Sequence, residues 1–320
     1  GEIDYATVRV YRTPKDLDRM LTEACEAGLI IKHSGVGADD ERLEADVLQC
    51  RAAHTRIAFW DVDAPATLAR VEENPCDPFR QLIPQYDFIF TYGGGLPVAE
   101  HYLQLGAKNC IPIYNALDPD THHPVAPDTS VNCDLAFIGH RLPDREQRVE
   151  QFFFAASESA SECSFLLGGE GWGNRPLPAN VRWIGHVGSS AHNRINCSAR
   201  MVLNINRQSM AKVGFSPPTR VFEAAGAGAC VITDAWAGID QFFEPGREIL
   251  VAESAEDIVS FLRETPRQAA CEIGKAMRER ALRDHTYSLR AHQVHEALHA
   301  EKELIASPTG NSIPAINSFA

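Results

Sequence analysis

The stretch GFSPPTRVFEAAGAGACVITDAWAG, residues 214–238, concentrates residue types suited to holding an anion. Ser216 is a good N-cap and Pro217 suits a first helical position, so the spacing predicts a helix that starts there and runs to Gly226 or Gly228. Gly214 lets the chain turn tightly just ahead. The unpaired amides of the helix start, with Thr219 in the same region, would then face a phosphate at close range. Ser216, Arg220 and Glu223 share one helix face, while Val221, Ala224, Ala225 and Gly228 lie towards the packing side. A carboxylate one turn beyond a phosphate-binding end is placed to accept hydrogen bonds from ribose hydroxyls, so the pattern points to a nucleoside diphosphate group. The plainer alternative is an Arg220–Glu223 ion pair on a solvated helix.

Other stretches add to this. A strand that ends at Gly139, with the cation Arg145 just inside the next helix, forms a phosphate clamp; the alternative is a surface arginine beside Asp144 and Glu146. LLGGEGW, residues 166–172, ends another strand in a glycine-rich turn. Thr233, Asp234 and Gly238 follow the strand ACVIT and sit where a sugar or base could be met. His295-Glu296-Ala-Leu-His299 satisfies the H-E-x-x-H pattern of zinc metalloproteases, with His292 on the same helix face. No His, Asp or Glu follows Glu303 to supply a third ligand, so the expected role is a polar C-terminal helix and no metal.

These residues need a scaffold, and the chain supplies an alternating one. Short apolar runs at Thr7–Tyr11, Leu29–His33, Arg56–Trp60, Asp87–Thr91 and Cys110–Tyr114 read as strands. Helical spacing fills Lys15–Glu26, Glu41–Ala52, Ala64–Glu73 and Leu96–Leu105 between them. The proline-rich NALDPDTHHPVAPDTSVNCD then reads as a linker, over 117–132. After it strands recur at Leu135–Gly139, Ser164–Gly168, Val181–Ile184, Met201–Ile205, Cys230–Asp234 and Ile249–Val251. Three helices follow, Ala255–Arg263, Arg267–Arg283 and Ser288–Leu304. The expectation is an α/β protein with domains at 1–116 and 133–285, a helix over 286–305 near their junction and a mobile tail over 306–320. A cleft between two parallel sheets would hold the ligand.

Charge and cysteine usage narrow the partners. With 30 Lys+Arg against 43 Asp+Glu, a formal charge of −13 and no basic cluster, nucleic acid is not an expected partner. The nine cysteines are scattered without a C-x-x-C pair, so a reducing cytoplasm is expected. No apolar run approaches the roughly 20 residues that span a bilayer, and no signal segment opens the chain. The first residue is Gly, which predicts that the chain begins partway into a longer product.

Residues 133–251 resemble the C-terminal, donor-binding domain of a GT-B glycosyltransferase with a group 1-like C-terminal domain, and in particular the CgeB-like, spore maturation protein type. SPPTRVFEAAGAGACVITDAWAGIDQFFEPGREILVAES, LNINRQSM at 203–210, FWDVDAP at 59–65 and LIPQYDFIFTYGGG at 82–95 carry the resemblance. It implies two Rossmann-like domains facing each other across a cleft, and a metal-independent transfer of sugar from a nucleotide-diphosphate donor to an acceptor that could be a glycan, a protein or a small molecule. By position, Glu223 would hold the ribose, and Gly139 with Arg145 would reach the diphosphate. Asp61 and Asp63, at the end of the strand RIAFW, are the candidates for a catalytic base; Asp63 could equally cap the helix from Ala64, and D-x-D also holds a metal in GT-A transferases. Two departures stand out. Phe215 occupies the place eight residues before Glu223 where related retaining families carry a glutamate, and no strand–loop–helix unit precedes ATVRVY. A non-catalytic nucleotide-sugar-binding or partner module of the same fold is the alternative.

Overall fold

The computed structural model describes residues 6–306, and side chains as far as residue 300. Two compact units divide the chain, Gly1–Pro112 and Ile113–Ala320.

In the first unit, β1 (Leu29–His33), β2 (Arg56–Asp61), β3 (Phe88–Thr91) and β4 (Cys110–Pro112) form a parallel sheet in that order. A parallel sheet needs cover on both faces, and the run Ile57, Ala58 and Phe59 is fully buried. Phe59 packs on Phe79 and Tyr86 at ring separations of 4.4 and 5.5 Å. The helix Ala64–Glu73 lies where its spacing places it, while the one expected over 41–52 is an α-helix at Asp40–Asp46 followed by a tighter 3-10 turn at Val47–Cys50. Thr7–Tyr11 is not a strand. Val8 and Val10 are 67% and 73% exposed, and β-branched residues alone cannot supply the partner that a strand requires.

In the second unit, β5 (Leu135–Ile138), β6 (Phe165–Gly168), β7 (Val181–Trp183), β8 (Met201–Asn204), β9 (Val231–Asp234) and β10 (Leu250–Ala252) form a parallel sheet of order β10-β9-β8-β5-β6-β7. Alternate residues feed two cores: Leu135 and Phe137 enter one with Phe153 and Trp172, and Ala136 enters the other with Val221 and Phe222. Strand order reverses between β5 and β8. That is the switch point at which the loops leaving the carboxyl ends diverge and open sheets bind ligands.

Residues 113–132 are not a free linker. Leu117 N–H donates to His285 O at 2.8 Å, Tyr287 N–H to Leu117 O at 3.0 Å, and Asp128 N–H to Ser198 Oγ at 2.8 Å, with a 3-10 turn at Thr129–Val131. The prolines keep longer helices and strands out of this segment but leave enough amides to dock it on the second unit. The helices Ala255–Glu264, Arg267–Asp284 and Tyr287–Ala306 complete that unit. The tail expected over 306–320 lies, beyond residue 306, outside the described residues. Among the described residues no helix is long and apolar enough to cross a membrane.

Candidate functional site

Two glycine loops make the floor of the site. At the end of β5, Gly139 N–H donates to Gly168 O at 2.8 Å and Arg141 N–H to Glu170 O at 2.9 Å, which extends the β5–β6 pairing into the loops. A Cβ on Gly169, whose φ is +118°, would lie 2.3 Å from Gly139 O, so the two backbones approach as only glycine permits. Indole groups lock this approach. Trp172 Nε1 donates to Gly139 O and Trp183 Nε1 to Gly169 O, each at 2.8 Å.

The helix expected from Ser216 begins instead at Thr219, with Pro218 at the cap position in an extended conformation (φ −65°, ψ 145°). The reason is steric. A residue before proline is pushed out of the helical region, and consecutive prolines at 217 and 218 exclude helix at both Ser216 and Pro217. Ser216 is buried and its Oγ donates to Gly214 O at 2.9 Å. Phe215 adopts φ +46° and donates its N–H to Ala237 O at 2.7 Å, and its ring lies 2.2 Å from where a Cβ on Gly238 would be. Gly214, Ser216 and Gly238 therefore build the turn that aims the helix.

That helix and the two loops enclose a cavity of about 610 Å³ at the switch point. Gly139 and Gly169 line it from the loops, Asn204 from the end of β8, and Thr219, Arg220 and Glu223 from the helix. The first-turn amides of Thr219 and Arg220 lie beyond the reach of the helix's own carbonyls.

Two cations meet behind Gly139. A Cβ there would stand 2.9 Å from Arg145 Nη2 and 3.1 Å from Arg220 Nη1. Arg145 is 5% exposed; its Nη2 donates to His140 O at 2.6 Å and its Nε has no partner. Arg220 Nη1 donates to Ile138 O. Among the described residues, no carboxylate hydrogen-bonds to either guanidinium. Asp144 binds Arg207 and Ser209, and Glu146 binds Arg141, so the acidic neighbours of Arg145 in sequence are engaged elsewhere. Burial and the charges of Arg220 and Arg207 bring the Arg145 pKa down to about 10, and burial lowers that of Arg220.

Glu223 hydrogen-bonds to a histidine rather than to Arg220, and a second histidine stands at ion-pair distance. His192 Nδ1 is 3.2 Å from Oε2, and His122 Nε2 is 3.8 Å from Oε1. Burial pushes the Glu223 carboxyl up, but the His192 hydrogen bond and the charges of His122, His192 and Arg220 bring it below the ordinary carboxylate range.

Thr233 and Asp234 lie outside the cavity lining, fully buried at the end of β9. Asp234 accepts from Arg148 Nη2 at 2.6 Å and from Asn206 N–H at 3.0 Å, while Thr233 Oγ1 accepts from Asn204 Nδ2 at 3.0 Å. They brace the strand ends. Asp61 has a comparable place in the first unit: it is fully buried and accepts from Ser34 Oγ at 2.9 Å, Thr67 Oγ1 at 3.0 Å, Asp63 N–H at 3.1 Å and Tyr102 OH at 2.5 Å. Burial raises its pKa. Asp63 occupies the cap position of the helix from Ala64, without a side-chain capping bond. In the C-terminal helix the His295 and His299 rings pack in a tilted pair at 4.1 Å and His292 pairs with Glu296 at 3.2 Å; among the described residues no group of three His, Cys, Asp or Glu could hold a metal.

Asn204, His140, His186 and His192 also line the cavity, and reading the sequence did not single them out. LNIN held the only signal for Asn204, as a polar residue ending an apolar strand. His140 and His186 sit in loops and His192 opens a short helix, so no periodicity marks them.

Residues 145–296 match the family described as Glycosyl transferase-like. No curated protein matches the sequence. Among solved structures, HepE of Anabaena in complex with UDP-glucose is 11% identical with a TM-score of 0.62, over 89% of this chain and 82% of that one. Sucrose-phosphate synthase from Thermosynechococcus elongatus is 15% identical with a TM-score of 0.61, over 93% and 81%. AviGT4, a glycosyltransferase involved in avilamycin A biosynthesis, is 18% identical with a TM-score of 0.56, over 88% and 76%. The protein thus has the two-sheet α/β fold of GT-B glycosyltransferase structures, and its second unit carries a glycosyl transferase-like domain.

Proposed function

We propose that the protein is a glycosyltransferase of the CgeB-like type, which moves a sugar from a nucleoside-diphosphate donor to an acceptor. One observation carries this reading: Arg145 and Arg220 are held together behind Gly139, bonded among the described residues only to backbone carbonyls, beside a cavity at the switch point. Burying two like charges is costly unless an anion joins them. A diphosphate supplies two negative charges, and the amides and dipole of the Thr219 helix start favour the same ligand. Glu223 is then one turn further along, in reach of ribose hydroxyls. HepE, which shares the fold, was crystallised with UDP-glucose, and this supports a nucleotide-sugar donor.

In this reading the guanidiniums stabilise the departing diphosphate, a preorganised electrostatic contribution that needs no metal ion. A second reading, donor binding without transfer, is favoured by Phe215 standing where related enzymes carry a glutamate and by the burial of Asp61 among four donors. Calorimetric titration with UDP, GDP, ADP and UDP-glucose, alongside an assay of UDP release with candidate acceptors, tests both. Glu223→Ala should weaken nucleotide binding roughly ten- to hundredfold with an unchanged circular dichroism spectrum. Binding without turnover selects the second reading, and no nucleotide binding at all rejects both.

A further inference from the structure

The Glu223 carboxylate is held from two sides by residues distant in sequence. His192, from the helix His192–Ser198, brings Nδ1 to 3.2 Å from Oε2 and lines the cavity itself. His122, from the docked 113–132 segment, brings Nε2 to 3.8 Å from Oε1. The approach of that segment is built into the helix. A Cβ on Gly226 would lie 2.5 Å from His122 O and 2.4 Å from Leu117 Cδ1, so only a bare backbone lets the segment in. His122 is tied in turn: its N–H donates to Asp118 O at 2.9 Å, and Asn193 Nδ2 donates to the neighbouring Thr121 O at 2.9 Å.

A carboxylate offers about four lone-pair positions. His192 takes one on Oε2, and the His122 ring, at ion-pair distance, stands against Oε1, so the group is held from turning and the remaining positions keep a fixed direction. A rigid, largely buried carboxylate suits a pair of adjacent hydroxyls, and a ligand without them leaves its charge desolvated against CH2 groups. We propose that His192, hydrogen-bonded to Glu223, and His122 beside it position this carboxylate towards a donor's ribose diol, and so set how strongly the site prefers a ribonucleotide over its dideoxy form. The proposal rests on the function argued above and assigns both histidines as positioning residues.

Titration of the wild type, His192→Ala, His192→Asn, His122→Ala and His122→Gln with UDP and 2′,3′-dideoxy-UDP tests it. Asparagine places an amide N–H where Nδ1–H stood, and glutamine keeps a polar N–H beside Oε1. The wild type should prefer UDP roughly ten- to hundredfold. Both alanine variants should lose most of that preference while binding the dideoxy compound as the wild type does, which also shows that they are folded. His192→Asn and His122→Gln should retain it. Alanine variants that weaken both ligands equally, or that keep the full preference, overturn the positioning role. A wild type that binds UDP and its dideoxy form alike overturns that role alone. If UDP, GDP and ADP all fail to bind, the proposed function falls and that role with it; if GDP or ADP binds in place of UDP, the same comparison is made with its dideoxy form.

Discussion

Replacing Arg145 with methionine separates what the residue does for the fold from what it does for a ligand. Its guanidinium is 5% exposed, and burial beside Arg220 and Arg207 brings its pKa down to about 10. A depression of that size costs the charged native state ~3 kcal/mol. Methionine keeps a flexible side chain against Phe137 and removes the charge, at the loss of the hydrogen bond to His140 O, worth ~1 kcal/mol. The net expectation is an unliganded protein ~2 kcal/mol more stable, with a Tm higher by roughly 4–8 °C for a unit of this size. In the unfolded chain arginine keeps its proton well above pH 10, so the penalty is fully present below that pH and fades only above it. The Tm difference should therefore be constant from pH 6 to 9. With a diphosphate bound that gain is offset, because a charge-assisted hydrogen bond lost is worth ~1.5–3 kcal/mol, or ten- to hundredfold in affinity, so under saturating UDP the Tm advantage of the variant should vanish. Differential scanning calorimetry with and without UDP reads both effects. An Arg145→Met protein that is less stable than the wild type, yet binds UDP as well, would refute the argument that this charge is held for an anion.

Two further outcomes concern groups away from the cavity. Asp61→Ala strands the donors of Ser34, Thr67, Tyr102 and Asp63 N–H and should destabilise the protein by roughly 3–4 kcal/mol, at about 1 per donor, with UDP affinity unchanged; normal stability with lost transfer would restore a role as base. His285 is buried between Phe242 O and the guanidinium of Arg290, and burial and that charge bring its pKa down to about 4. The unfolded chain takes up this proton below about pH 6.5, so stability should fall by ~3 kcal/mol between pH 6.5 and 4 and level off below. Urea unfolding across that range should show the fall, and His285→Gln, which can still donate to Phe242 O, should lack this part of it.

The parallel α/β organisation was legible because it is written locally. The short continuous apolar runs around Phe59, Phe137 and Ile232 name strands to within a residue or two, and Gly139, Arg145 and Glu223 stand at spacings that put them near strand ends and helix starts. The late start at Thr219 was legible in principle, since tandem prolines forbid the earlier one. Thr7–Tyr11 shows the limit: alternation reports a willingness to pair, and pairing needs a neighbour. Asp61 and Asp234 show another. Both lie at carboxyl ends of strands as the pattern implies, but burial turned each into a brace.

The amino-acid order alone determined the strand and helix sequence, the glycine loops, and which charged residues lie close along the chain, because backbone sterics and side-chain periodicity act over a few residues. Tertiary structure decided the partners. It set Glu223 against two histidines instead of Arg220, docked residues 113–132 on the second unit, and left Arg145 and Arg220 together behind Gly139 with no carboxylate among the described residues bonded to either. Those outcomes depend on desolvation and on contacts between distant segments, and neither is present in an extended chain.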